Sequence, residues 1–96
     1  MKIALNLVAA AIASSVLPAA AQDTIKIGMN GALSGPAAVL GKDALAGLEM
    51  AVDEINAAGG IKGKKIELIS KDDEAKPPVA LKWVQQMVHS DKIVAY

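Results

Sequence analysis

Segments with the periodicity of β-strands alternate in this chain with segments that have the periodicity of helices. Apolar residues occupy every second position of Ile25–Met29, which predicts one face of a first strand. A helix is predicted from about Ala37 or Gly41 to Ala58, because apolar residues recur there every three or four positions: Leu40, Ala44, Leu48, Ala51, Val52 and Ile55. Gly59-Gly60 should end this helix, since glycine accepts the left-handed conformation found at many helix ends.

The same alternation continues after these glycines. The segment Lys64–Ser70 predicts a second strand, with Ile66 and Leu68 on one face. Pro77-Pro78 suits the first turn of a second helix, which should end near His89 and bury Ala80, Val84, Met87 and Val88. The apolar segment Ile93–Tyr96 predicts a third strand. Helices between neighbouring strands favour a parallel sheet, so the predicted fold class is α/β, the start of a doubly wound lobe in the order β-α-β-α-β.

The first 21 residues have a different character. A basic start, Met1-Lys2, precedes an apolar segment over residues 3–17, and Pro18–Ala21 then supplies small residues. This layout is typical of a secretory signal peptide, and the apolar segment is shorter than the roughly 20 residues that span a bilayer. A buried helix or an uncleaved anchor is the alternative. The sequence predicts cleavage between Ala21 and Gln22 and export of residues 22–96.

Composition narrows the class of protein. Lys2 lies in the predicted leader, so nine lysines face ten acidic residues in the remainder, a formal charge of −1. This balance gives no electrostatic reason to expect a nucleic acid or an anionic membrane as partner. The chain has no cysteine, and therefore neither a disulfide nor a lipid attachment site at the cleavage point, so no direct membrane anchor is expected. Residues 22–96 are few for a stable core without disulfides and are expected to open a larger domain.

Nucleotide-binding motifs are incomplete. The dinucleotide fingerprint G-x-G-x-x-G does not fit the spacing of Gly28, Gly31 and Gly35. A phosphate-binding loop needs a hydroxyl after its lysine, but Asp43 occupies that position and its charge would repel phosphate. No nucleotide cofactor is therefore predicted.

Motifs for metal binding and catalysis are also incomplete. His89 is the single histidine of the chain, whereas a zinc site needs three or four ligands. The acidic run Asp72–Glu74 lacks the alternating ligands of a calcium loop and predicts a solvated turn. No G-x-S-x-G motif surrounds Ser34. The sequence predicts neither a catalytic residue nor a metal or cofactor site, and the protein is not expected to be an enzyme.

The loop from Gly31 to Gly41 is the best candidate for ligand contact. It follows the carboxyl end of the first predicted strand and opens a helix, and ligands of open α/β sheets bind at this edge. A helix N-terminus also offers free N–H groups and a partial positive charge to an anion such as a carboxylate. A purely structural role is the alternative, in which Ser34 caps the helix and the glycines form the turn; the two roles are compatible.

Two linked motifs add to this interpretation. An S-G-P loop at Ser34–Pro36 is followed by D-E-I-N-A-A-G-G-I at Asp53–Ile61, and further matches lie at Ile25–Gly28, Gly63–Leu68, Asp72-Asp73 and Pro77. With these motifs the chain resembles the N-terminal part of the periplasmic branched-chain amino-acid (Leu/Ile/Val) binding protein family. The resemblance covers essentially all of residues 22–96, and the combination of the first two motifs at this separation is specific.

The resemblance implies a type I periplasmic binding protein, with two α/β lobes that close on a ligand. Residues 22–96 would form the incomplete N-terminal part of the first lobe. The implied function is that of a periplasmic receptor that delivers an amino acid, branched-chain or a related small carboxylate or amide, to an ABC importer. Its implied partners are this ligand and the permease complex, and it would act as a monomer without a cofactor.

The resemblance also implies the site residues. Ser34, Gly35 and Pro36 would lie at the edge of the cleft. The position before Gly41 often carries a tyrosine that packs on the ligand in Leu/Ile/Val binders; here it is Leu40, which can pack but cannot stack or donate a hydrogen bond. Most groups that hold the ligand's carboxylate and ammonium would come later in such a protein.

Two other functions fit parts of the sequence. A regulatory amino-acid or amide sensor on the same fold would pass its signal to a protein partner. Cytoplasmic sensors lack a cleavable leader, however, and the predicted leader favours the importer. An exported enzyme ranks last, because the sequence offers no acid–base pair, nucleophile or metal cluster.

Overall fold

The computed structural model describes residues 24–96, so the predicted leader and its cleavage point at Ala21 and Gln22 lie outside the described residues. Its elements are strand β1 (Ile25–Gly31), helix α1 (Ala38–Ala57), strand β2 (Ile66–Asp72), helix α2 (Pro77–Gln86) and a π-helical turn (Met87–Asp91) that continues α2. The two strands pair in parallel, from Ile25 opposite Ile66 to Gly31 opposite Asp72. The first four elements of the predicted order, β-α-β-α, and the parallel sheet are thus confirmed.

The predicted third strand is present only as a bridge. Ala95 pairs in parallel with Ile27, and its carbonyl oxygen accepts a 2.9 Å hydrogen bond from the Gly28 N–H. The Val94 N–H donates to the Lys26 carbonyl at 2.9 Å. Because the other edge of β1 pairs with β2, β1 lies between β2 and this final segment. A strand at the centre of a parallel sheet is typical of a doubly wound fold.

Successive residues of β1 face opposite sides of the sheet, as the pleat requires. Gly28 points toward α2 and the π turn: a β-carbon placed on it would lie 2.9 Å from the Met87 sulfur and 2.8 Å from an Ile93 methyl carbon. Ile27 and Met29 point the other way and line a cavity together with Leu48 of α1. Met87 is completely buried, so the π turn supplies the centre of the packing on its side of the sheet.

The buried face of α1 differs from the predicted stripe. Leu48 and Val52 are half-buried as expected, but Ala44, Ala51 and Ile55 are exposed, and Leu40 is 76% exposed. The observed inner face consists of Gly41, Leu45, Leu48, Val52 and Asn56. A hydrophobicity pattern does not detect the two ends of this inner face. Gly41 makes the tertiary contact at one end, and Asn56 makes it at the other end through hydrogen bonds.

Asn56 joins the end of α1 to the start of β2. Its Oδ1 accepts a 2.7 Å hydrogen bond from the Ile66 N–H, and its Nδ2 donates to the Ile66 carbonyl at 2.9 Å. The side chain thus satisfies both backbone groups of a buried residue at the sheet edge. Gly59 and Gly60 then turn the chain with φ of +105° and +77°, which confirms the predicted helix stop.

The second helix ends differently from the prediction. Ala80 and Val84 are half-buried and Met87 is buried, but Val88 is 45% exposed, so its predicted burial is wrong. A π turn holds more residues per turn than an α-helix, which rotates the positions after Met87 away from the α-helical stripe. The turn ends at Lys92, in the left-handed conformation with φ of +61°.

Candidate functional site

The carboxyl ends of both strands meet at one edge of the sheet. β1 ends at Gly31 and β2 ends at Asp72, directly opposite each other. The Asp73 N–H donates a 3.0 Å hydrogen bond to the Gly31 carbonyl, so the loops that leave the strands begin side by side. In parallel α/β sheets this edge is the usual place of a ligand site.

Asp72 holds the two loops together. Its Oδ1 accepts 2.9 Å hydrogen bonds from the Leu33 N–H of the first loop and from the Glu74 N–H of the second. The Ser34 hydroxyl, followed by the Leu33 and Glu74 N–H groups, stabilises the charged carboxylate and lowers the pKa of Asp72 below its ordinary value of 3.8. The carboxylate therefore acts as a charged acceptor for the candidate ligand loop.

The acidic turn is therefore less exposed and more hydrogen-bonded than the predicted solvated turn. Asp72 is the last residue of β2, and both Asp72 and Asp73 are half-buried. The Asp73 carboxylate accepts a 2.9 Å hydrogen bond from the Ala75 N–H and so closes a local turn. Only Glu74 of the acidic run is exposed, and it lies 3.9 Å from the Lys76 ammonium.

The predicted contacts Ser34, Gly35 and Pro36 are all exposed at this edge. Gly35 has φ of +76°, a left-handed conformation that favours glycine, and its carbonyl accepts a 3.1 Å hydrogen bond from the Ala38 N–H. The residue that precedes α1 is Ala37, and no side chain caps the helix. The hypothesis that Ser34 caps α1 is therefore wrong, and its hydroxyl interacts with Asp72 instead.

Leu40 lies in the first turn of α1, next to the same loop. With 76% of its surface exposed, it does not belong to the core beneath the helix in the described part of the chain. Its neighbour Val39 is 70% exposed. Gly41, which follows, packs against the backbone of Ala32 and so fixes this turn on the loop.

A separate cavity of about 340 Å³ lies between β1, α1 and the end of the chain. It is bounded by Ile27, Gly28, Met29, Asn30, Leu48 and Tyr96. The Asn30 side chain accepts a hydrogen bond from the Tyr96 hydroxyl and donates to the Ala80 carbonyl at 3.2 Å. None of the four predicted contact residues lines this cavity, which is mostly apolar.

No group of three or more histidine, cysteine, aspartate or glutamate side chains among residues 24–96 is arranged to hold a metal ion. Neither described helix combines the length and apolar character that crossing a membrane requires.

The sequence pattern did not indicate the role of Asp72. The Asp72-Asp73 pair belongs to the motifs that carry the resemblance, but its charges favoured a solvated turn. The position of Asp72 in the sequence could have indicated this role. A carboxylate at the end of a strand lies at the edge where the loops of a parallel sheet meet. Trp83 was missed too: its indole N–H donates to the Asp72 carbonyl at 2.9 Å and attaches α2 to this edge.

The chain is similar to known proteins. The sequence model of the periplasmic binding protein family matches residues 24–96. The Leu/Ile/Val/Thr-binding protein of Salmonella typhimurium is 40% identical over 84 residues, which are 88% of this chain and 23% of that protein. The Leu/Ile/Val-binding protein of Escherichia coli K12 is 39% identical over 83 residues, 86% of this chain and 23% of the relative.

A solved structure of a binding protein is also similar to this chain. The branched-chain amino acid transporter substrate-binding protein LivJ of Streptococcus pneumoniae, in complex with isoleucine, superimposes with a TM-score of 0.71 at 44% identity. The match covers 74% of this chain and 20% of that one, so the chain spans about a fifth to a quarter of the length of these relatives. The chain belongs to the periplasmic binding protein family, and its resemblance to the branched-chain amino-acid binding members is confirmed.

Proposed function

We propose that residues 22–96 form the opening part of the first lobe of a receptor that binds an amino acid and delivers it to an ABC importer. The observation that carries this proposal is the exposed Ser34–Pro36 loop, held at the carboxyl edge of a parallel sheet by Asp72. A second lobe would close on this edge and bury the loop against a ligand.

The loop has chemistry suited to a small zwitterion. Ser34 carries a hydroxyl that donates and accepts hydrogen bonds, and exposed Gly35 presents its backbone without a side chain in the way. The N-terminus of α1, which follows, offers free N–H groups and a partial positive charge to a carboxylate. These features favour an amino acid or a related small carboxylate.

Leu40 supplies the apolar part of the proposed site. An exposed leucine beside a polar loop gains roughly 1.5–3 kcal/mol when it is fully buried, and an aliphatic ligand side chain would provide that burial. A branched-chain amino acid fits both the polar loop and this leucine. The names of the relatives, which specify Leu, Ile and Val, support the same ligand class.

The remaining parts of the proposal concern location and partners. We propose that the predicted leader directs the protein to the periplasm, where it binds its ligand as a monomer and docks on a permease complex. No observation favours the alternative of a regulatory sensor. A non-enzymatic role is supported by relatives such as LivJ, which is named as a substrate-binding protein.

Calorimetry on the complete protein that contains this segment tests the proposal. Leucine, isoleucine and valine should bind with micromolar affinity or better. A monosaccharide, measured as the control, should not bind. Residues 22–96 alone should bind none of them, because the cleft would lack its second lobe. A complete protein that binds no amino acid would contradict the proposed function.

A further inference from the structure

We propose that Asp72 is a positioning residue, which holds the Ser34–Pro36 loop in its ligand-binding geometry before the ligand arrives. This inference rests on the proposed receptor function. It adds a residue that does not itself touch the ligand but decides where the ligand-contact loop lies.

The loop depends on few polar contacts. Among the described residues, the polar contacts that join residues 32–37 to β2 end on the Asp72 carboxylate: the Leu33 N–H donates to it at 2.9 Å, and Ser34 interacts with it through its hydroxyl and its backbone N–H. The other backbone bonds of this segment stay within the loop or lead into α1, as does the bond from the Ala38 N–H to the Gly35 carbonyl. The position of the loop relative to the sheet therefore rests largely on Asp72.

Asp72 is itself held firmly in place. Its backbone belongs to β2, opposite Gly31, and its carbonyl accepts the Trp83 indole N–H at 2.9 Å. The Glu74 N–H binds the same carboxylate oxygen as Leu33 and fixes the rotamer of the side chain. A carboxylate fixed by its own strand and by the following turn can fix the position of the loop that binds to it.

The adjacent carboxylate offers a natural control. The Asp73 side chain has the same chemistry and lies one residue further on, but it accepts a hydrogen bond from the Ala75 N–H and not from the Ser34–Pro36 loop. Removing its carboxylate disturbs the acidic turn without releasing Leu33. Asp72→Ala and Asp73→Ala therefore separate loop positioning from a general change in the turn.

The experiment measures leucine affinity of the complete protein for the wild type, Asp72→Ala, Asp72→Asn and Asp73→Ala. A ligand that binds only a fraction of the molecules has an apparent Kd raised by the inverse of that fraction. If Asp72→Ala leaves about a tenth of the molecules with a competent loop, the apparent Kd rises about tenfold. Asp72→Asn keeps an acceptor for the Leu33 N–H and should lose less affinity, whereas Asp73→Ala should stay near the wild type.

Amide hydrogen exchange separates positioning from a loss of fold. In ligand-free Asp72→Ala, exchange at Leu33 and Ser34 should accelerate, while the β1 amide of Ile27 keeps its protection. Saturating leucine should restore slow exchange in the loop.

The results that would overturn the positioning role differ from the result that would refute the receptor function. Unchanged affinity in Asp72→Ala, or accelerated exchange at Ile27 as well as in the loop, would overturn the positioning role. Equal losses in Asp72→Ala and Asp73→Ala would overturn it too. A wild-type protein that binds no amino acid would refute the receptor function instead, and loop exchange in Asp72→Ala would still show whether this carboxylate holds Leu33.

Discussion

A β-carbon added to Gly41 would lie 1.8 Å from the carbonyl oxygen of Ala32. The first turn of α1 therefore rests directly on the backbone of the loop that precedes it. This distance is far below any van der Waals contact, and backbone atoms cannot move aside as the end of a side chain can. Gly41 thus fixes α1 against the loop from one side, while Asp72 holds the loop from the other.

Gly41→Ala should destabilise the complete protein. The methyl group forces α1 and the loop apart, and overpacking of this kind typically costs about 1–3 kcal/mol of unfolding free energy. Gly47→Ala is the matched control, because nothing lies within 4 Å of a β-carbon at Gly47 of the same helix. There alanine should stabilise by about 0.5–1 kcal/mol. Urea denaturation measures both, and a Gly41→Ala protein as stable as the wild type would contradict the close contact.

Asn56→Ala should weaken the junction between α1 and β2. Both hydrogen bonds to the Ile66 backbone are lost, which leaves buried polar groups unpaired at a cost of about 1–3 kcal/mol. Asp53→Ala, at an exposed position of the same helix, should change stability by less than about 0.5 kcal/mol. Equal free energies of unfolding for the two variants would show that Asn56 does not hold α1 against β2.

The sequence predicts the order of elements well, because the two-residue and three-to-four-residue periodicities separate strands from helices. It fails where polar groups or glycine make the tertiary contact. Gly41 and Asn56 form the two ends of the α1 face, yet neither contributes to an apolar stripe. The π turn after Gln86 has no sequence periodicity of its own, and it placed Val88 outside the predicted face.

The candidate site could also be predicted only in part. The position of the loop after the first strand and its S-G-P motif both indicated ligand contact. The register between β1 and β2, which places Asp72 opposite Gly31, cannot be read from either strand alone. The link between Asp72 and the loop therefore emerged only from the structure.

Stability should depend on pH through Asp72. The folded state lowers the pKa of this carboxyl below 3.8, so the unfolded state binds its proton more readily. The contribution of Asp72 is thus present above about pH 4 and is lost as the pH falls through the lower folded pKa. The other charged groups of the turn are Asp73, Glu74 and Lys76.

Comparison with Asp72→Asn isolates this effect from the neighbouring acids. The difference in unfolding free energy between the wild type and the variant should be constant above about pH 5 and shrink below about pH 4. An NMR titration of the Asp72 carboxyl carbon in the folded protein that gives a pKa above 3.8 would contradict the stabilising role of Ser34 and Leu33.

The leader should be removed on export. Ala19 and Ala21 supply the small residues that signal peptidase accepts, so the mature protein should begin at Gln22. Mass spectrometry of the exported protein measures this terminus. Ala21→Lys, which removes the small residue at the cleavage point, should leave the leader attached. A mature protein that still begins at Met1, or one that begins within β1, would contradict the proposed export.

Leu40→Ala should lower ligand affinity without lowering the stability of the ligand-free protein. Leu40 is 76% exposed, so truncation removes little packing from the described part of the fold. In the closed receptor the lost apolar burial should cost about 1–2 kcal/mol of binding free energy, which is roughly a 5- to 30-fold weaker Kd for leucine. Calorimetry and thermal unfolding of the same preparations measure the two quantities.

Val39→Ala is the control for Leu40→Ala. Val39 precedes Leu40 in the first turn of α1 and is 70% exposed, but a rotation of about 100° along the helix separates the directions of the two side chains. If only Leu40 faces the cleft, Val39→Ala should retain the wild-type affinity. Equal losses in both variants would indicate a general effect on the α1 N-terminus. A Leu40→Ala protein with a lower melting temperature and unchanged affinity would remove Leu40 from the site and leave Ser34–Pro36 as the contribution of this chain to binding.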